Sequence, residues 1–172
     1  MKDKWWTQMA MELRERHCRQ MLQNVIDKGE LHRTDSDLSD DILAALQEQF
    51  DRRNFGALCR LVWVVQCFPD HKFTPLLCDL FENYRNEVDM EGIADAFLQL
   101  NDERSVPSLI HALNHYVAGD DMAFHFNKKV IYALSRIGTS EAIEGIKSAL
   151  TSSEGQISNA AKQELEGIGR HS

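Results

Sequence analysis

Apolar positions recur three and four residues apart along almost the whole chain, with polar positions on the opposite faces, and no stretch alternates strictly enough to predict a strand. That spacing predicts helices. Residues 4–28 read as one long helix, in which Trp5, Met9, Leu13, Met21, Leu22, Val25 and Ile26 trace a drifting stripe and Gly29 marks the stop. Residues 30–36 read as a linker whose last residues, Asp35 and Ser36, suit the capping of a helix that begins near Leu38. Two kinds of helix then alternate. Val106, Leu109 and Leu113 match Ile143, Ile146 and Leu150, and Phe73, Leu76 and Leu80, with Ile42 and Leu46 as a weaker first copy. Between them Val130, Leu134 and Ile137 match Ala161, Leu165 and Ile168, Ile93, Phe97 and Leu100, and Leu61, Val65 and Phe68.

The last three helices of this second, inner kind close on a residue that tolerates the left-handed conformation: Asn101, Gly138 and Gly169. The phrase Leu134-Ser135-Arg136-Ile137-Gly138 returns as Leu165-Glu166-Gly167-Ile168-Gly169, and self-similarity at this period marks stacked helical repeats. The expectation is an all-α fold, an α-solenoid of about four helical pairs (37–68, 71–102, 105–138 and 140–169) behind a long N-terminal capping helix, residues 1–29, in a single domain. The run Ala133-Leu134-Ser135-Arg136-Ile137-Gly138-Thr139-Ser140-Glu141-Ala142-Ile143, continued by Ala149-Leu150 and the second copy of the phrase, resembles the bacterial HEAT-like repeats first named for phycobilisome lyases. The resemblance covers residues 105–169 and extends more loosely over 71–102. It departs from the pattern at Glu144, where such repeats often carry proline, and at Ser158, where a basic residue is common. It implies helical pairs whose inner helices line a concave, variable binding surface.

The formal net charge of -8 disfavours nucleic acid as a partner, because affinity for a phosphate backbone rests on Lys and Arg. The charge is uneven: residues 1–28 carry six Lys or Arg against four Asp or Glu, which leaves -10 on the remainder. No run of apolar residues is long enough for a membrane span or a secretion signal, so the expected location is the cytoplasm and no membrane partner is expected. Cys18, Cys59, Cys67 and Cys78 contain no Cys-x-x-Cys and fall among apolar neighbours, which predicts buried, reduced thiols. Trp63, in the run Leu61-Val62-Trp63-Val64-Val65, reads as core. Trp5 and Trp6, about 100° apart on a helix, read as a seal on the first repeat.

Between Asp79 and Glu103 stand eight acids and one base, Arg85. Helical spacing sets Glu91, Asp95 and Gln99 on one ridge, with Asp102 a turn farther on, and such a ridge would steer a basic protein partner. Lys129, Tyr132 and Arg136 on the next inner helix, beside Lys128, make the expected groove mixed in charge, and Tyr132 and Arg136 are residue types that anchor interfaces. The connection 117–124 is longer than the other turns and is a second place where binding could sit.

Catalytic chemistry is not written in the chain. His111 and His115 have the spacing of metal ligands, with His125 across the loop, but lack the Glu of a His-Glu-x-x-His motif. The segment 35–41 imitates the start of a calcium loop, yet Asp40 replaces the required turn glycine and Leu46 the bidentate Glu, so capping explains its acids better. No nucleophile elbow, phosphate loop or dinucleotide fingerprint occurs. No cofactor, metal or catalytic residue is expected. These features together predict a protein-binding module, most concretely a bacterial immunity protein that neutralises a basic toxin domain, for instance a nuclease. The alternatives are a cofactor lyase or chaperone using His111, His115 and Cys78, and a scaffold subunit that self-associates; the composition does not choose an oligomeric state.

Overall fold

The computed structural model describes residues 2–34, 37–115, 121–152 and 155–169, with side chains described from Met11 onward and again from His125 after the second gap. The described residues are helical apart from short turns and contain no strand. The helices are α1 (Lys2–Asp27), α2 (Leu38–Asp51), α3 (Phe55–Cys67), α4 (Thr74–Asn83), α5 (Met90–Leu100), α6 (Val106–His115), α7 (Asp121–Ile137), α8 (Ser140–Ala149) and α9 (Gly155–Gly169). The chain divides into two compact units, residues 1–68 and 69–172. The side chains of Trp5 and Trp6 and the loop residues 117–120 lie outside the described set, as do Asp35 and Ser36.

In the first unit α3 packs against both α1 and α2. Its residues Ala57, Leu58, Leu61, Val62, Val64 and Val65 are all buried, alongside Ile42, Ala45 and Leu46 of α2 and Val25 and Leu31. A helix apolar on nearly every face is one buried between neighbours. Trp63 departs from the expectation: it is 41% exposed. Its indole stays partly in solvent, so the uniformly apolar pattern overstates how far the helix is enclosed.

Asp37 stands at the N-cap of α2 but makes no capping hydrogen bond with its side chain. Asp41 secures the linker instead, accepting from the Thr34 hydroxyl at 2.6 Å and backbone N–H at 3.2 Å, and pairing with Arg33 at 3.1 Å. Arg60 of α3 clasps Glu30 through a two-pronged guanidinium–carboxylate contact, and that hydrogen bond raises the pKa of the guanidinium. The cysteines correct a second expectation. Cys18 and Cys67 are joined as a disulfide across a Cα–Cα distance of 5.4 Å, while Cys59 and Cys78 are free and half-buried. Four thiols without close sequence spacing gave no hint that α1 and α3 would bring two of them together.

In the second unit, each of α4, α6 and α8 packs against the next of the three, and so do α5, α7 and α9; the two sets meet through α4 with α5, α6 with α7, and α8 with both α7 and α9. Phe81, Phe97 and Phe126 form the bulky centre, with the Phe81 and Phe97 rings edge to face at 5.3 Å. The expected triads are buried in part. Val106, Leu109 and Leu113 are core, but Leu77 and Phe81 rather than Leu76 complete the buried face of α4, and Leu150 is exposed. At Gly145 α8 lies so close to α6 that an added Cβ would stand 2.6 Å from Ile110 Cγ1. Gly138 closes α7 at φ +67°, and Asn101 closes α5 at φ +51°, as their positions after the apolar repeat required.

Candidate functional site

The outward face shared by α5, α7 and α9 collects most of the residues singled out for recognition. α5 starts where Asp89 accepts a hydrogen bond from the Gly92 N–H at 3.0 Å, with Glu91 adding a favourable charge in the first turn. Ile93, Ala94, Ala96, Phe97 and Leu100 face the core, so helical period leaves Glu91, Asp95 and Gln99 half-buried on the other side. On α7 the buried apolar residues are Phe126, Val130, Ile131, Ala133 and Leu134, with Asn127 buried beside them. Lys128, Lys129, Tyr132 and Ser135 are left half-buried on the outward stripe and Arg136 exposed.

Lys129 bridges the two helices. Its Nζ lies 2.7 Å from Asp95 Oδ2 and 3.1 Å from Glu91 Oε2. Partial burial works against the ammonium charge, but hydrogen bonds and attraction from Asp95 and Glu91 outweigh it, and the pKa is held above its ordinary value. The acidic ridge is thus already paired with a cation of the same protein. Farther along, Lys128 Nζ sits 5.4 Å from the centre of the Tyr132 ring, a cation–π distance. Ser135 donates to Glu164 Oε2 of α9 at 2.7 Å. Neither Ser135 nor Glu164 was expected at this face; the signal for Ser135 is its place seven residues beyond Lys128 on the same helical stripe.

Asp102 lies apart from this face. The left-handed Asn101 ends the helix, so the chain turns before a fourth ridge position can form, and Asp102, 4% exposed, caps the 3-10 turn Glu103–Ser105. It accepts from the Thr74 hydroxyl at 2.7 Å and the Arg104 N–H at 3.1 Å, and its carboxylate pairs with the Arg104 guanidinium at 2.5 Å. Burial pushes its pKa up, but these bonds and the adjacent cation prevail and bring it down to about 2. Arg104 Nη2 also donates to the His71 carbonyl at 2.6 Å, and His71 Nε2 bonds the Leu100 carbonyl at 3.0 Å. Asp102 therefore ties α4 to the segment leading into α6.

His111 and His115 stack with ring centres 4.1 Å apart on the exposed side of α6, and His115 Nδ1 donates to the His111 carbonyl at 2.8 Å. Among the described residues no group of three or more His, Cys, Asp or Glu is placed to hold a metal ion. Burial raises the pKa of the Cys78 thiol, which keeps it protonated at neutral pH, a poor state for a nucleophile. No helix among the described residues is long and apolar enough to cross a membrane. No protein-family model matches the chain, and no curated protein or solved structure shows significant similarity to it.

Proposed function

We propose that this chain is a non-catalytic protein-binding module whose helical pairs stack as a HEAT-like α-solenoid, and that its most concrete role is a cytoplasmic bacterial immunity protein that binds and neutralises a basic toxin domain. The observation that carries the reading is the cross-bridged polar face of α5, α7 and α9. Glu91, Asp95, Lys129, Ser135 and Glu164 are already held by one another across helix boundaries. A partner docking there meets side chains that lose little further freedom, which is how a preordered surface gains affinity. Tyr132 and Arg136 stand on the same stripe as its anchoring residue types. The succession of α4, α6 and α8 and of α5, α7 and α9 supports the solenoid reading.

Because Lys129 offsets Glu91 and Asp95, attraction for a basic partner comes from the field of the whole chain, with its net charge of -8, more than from that ridge. Affinity capture from the native host, followed by association kinetics of the captured protein, tests the proposal. Added salt should slow association, and Tyr132→Ala and Arg136→Glu should each weaken binding by about tenfold or more. Binding that ignores salt and both substitutions would remove this face from recognition.

A self-associating scaffold is a second reading, favoured by the exposure of Met11 and Leu13 on α1, at 60% and 54%, and of Trp63. Light scattering across a concentration series separates it from the first: a mass that stays at one chain excludes it.

A further inference from the structure

Helix α1 is fastened unevenly. Between Met11 and Asn24 every described side chain is exposed except Cys18, at 7%, and the half-buried Met21 and Leu22. Burial becomes firm only at Val25 and Leu31, beside the Glu30–Arg60 ion pair. The chain runs antiparallel to α3, since Cys18 meets Cys67 at the last residue of α3 whereas Glu30 meets Arg60 farther back. The sixteen helical residues before Cys18 therefore continue past the end of α3 for roughly 24 Å, at the rise of an α-helix. A single covalent bond secures the point where this overhang begins.

That bond is also accessible. An open cleft of about 360 Å³ is lined by Arg14, Glu15, Arg19, Phe68 and both bonded cysteines, with two cations against the one carboxylate of Glu15, which lies 3.7 Å from Arg19. Cys67 is half-buried and Cys18 buried, so a nucleophile entering the cleft has its better approach to Cys67 Sγ.

We propose that the Cys18–Cys67 disulfide is a redox latch, opened by a dithiol reductant that enters this cleft, and that opening it frees α1 ahead of Val25. One thiolate of the reductant attacks Cys67 Sγ and forms a mixed disulfide; the electron pair of the broken bond leaves on Cys18 Sγ, which takes up a proton. The second thiolate of the reductant then attacks its own sulfur in the mixed disulfide and releases Cys67 as a thiol. The reductant ends as a disulfide, and the protein has gained two electrons and two protons. Arg14 and Arg19 favour both the entering thiolate and the departing Cys18 thiolate, as cations beside a reactive sulfur do. Once the latch is open, Val25, Leu31 and the Glu30–Arg60 pair still hold the C-terminal end of α1, so the loosening is confined to the overhang and the turns next to it.

Backbone amide exchange of the full chain, oxidised and then treated with dithiothreitol, tests this, with Cys59→Ser and Cys78→Ser in the background to prevent disulfide shuffling. Peptide mapping of the oxidised protein should recover Cys18 linked to Cys67. Reduction should speed exchange over residues 11–24 by about tenfold or more while residues 58–65 of α3 stay protected, the pattern of local rather than global opening. A Cys18→Ser/Cys67→Ser variant should exchange at the fast rate with or without dithiothreitol. If that variant does not fold, the reductant comparison reads the same quantity. Absence of the linked peptide, equal exchange over 11–24 in both redox states, or loss of protection in α3 together with α1 would each overturn the latch.

Discussion

The Nζ of Lys129 lies 2.7 Å from Oδ2 of Asp95 and bridges α7 to α5 in the middle of the proposed docking face. Both groups are half-buried, so the pair is firmer than a surface ion pair yet still in contact with water. Replacing Lys129 with Met leaves Glu91 and Asp95 repelling each other and should cost about 1 kcal/mol in urea unfolding at neutral pH. Because folding raises the lysine pKa, its contribution is complete below the ordinary value of 10.5 and fades as pH climbs through the folded value. Lys129→Met should therefore match the parent chain in strong alkali and fall below it at neutral pH.

Acid should act through Asp102. Its folded pKa of about 2 lies below the ordinary 3.8, so its stabilisation is present above the ordinary value and is lost as pH falls toward 2. The shift corresponds to roughly 2 kcal/mol. Asp102→Asn should reduce stability by about that amount at neutral pH and by almost nothing near pH 2, a convergence that urea titrations at the two pH values will read. Parallel curves at every pH would dissociate Asp102 from the acid response.

At Gly145 the space between α8 and α6 is already filled by Ile110. Gly145→Leu should lower stability by about 2–3 kcal/mol because the added side chain must push the helices apart. Gly145→Ala should cost less than Gly145→Leu, since alanine recovers about 1 kcal/mol of helix propensity, although Ile110 Cγ1, 2.6 Å from the added Cβ, must still give way. Thermal melts of the two variants separate helix packing from helix propensity.

Trp63 and Leu61 sit two residues apart on α3 with opposite exposures. Leu61→Ala, at a fully buried site, should cost about 3 kcal/mol, whereas Trp63→Ala should cost about 1 kcal/mol despite the larger side chain. Equal losses in urea midpoints would mean that the indole is covered in solution, by a partner copy or otherwise.

The helices and their stops were legible because they follow from local chemistry. The 3.6-residue spacing of Ile93, Phe97 and Leu100 produced α5, and Asn101 and Gly138 ended their helices for want of any other residue so tolerant of positive φ. The outward stripe of Glu91, Asp95, Lys129, Tyr132 and Arg136 followed from the same period read on its polar side. Asp102 was misplaced because a ridge was extended beyond the residue that closes its helix. Leu76 and Leu77 exchanged roles because adjacent apolar residues give a helix two possible faces, and only the neighbouring helix selects one.

Composition and spacing alone determined an all-helical chain, its segment boundaries within a few residues, and which face of each inner helix stays polar, since each depends on residues at most one turn apart. Tertiary structure decided that Lys129 pairs with the two acids of α5, that Cys18 reaches Cys67, and that Trp63 remains partly in solvent. Those outcomes depend on distances between residues dozens of positions apart, which helix packing sets and local periodicity does not encode.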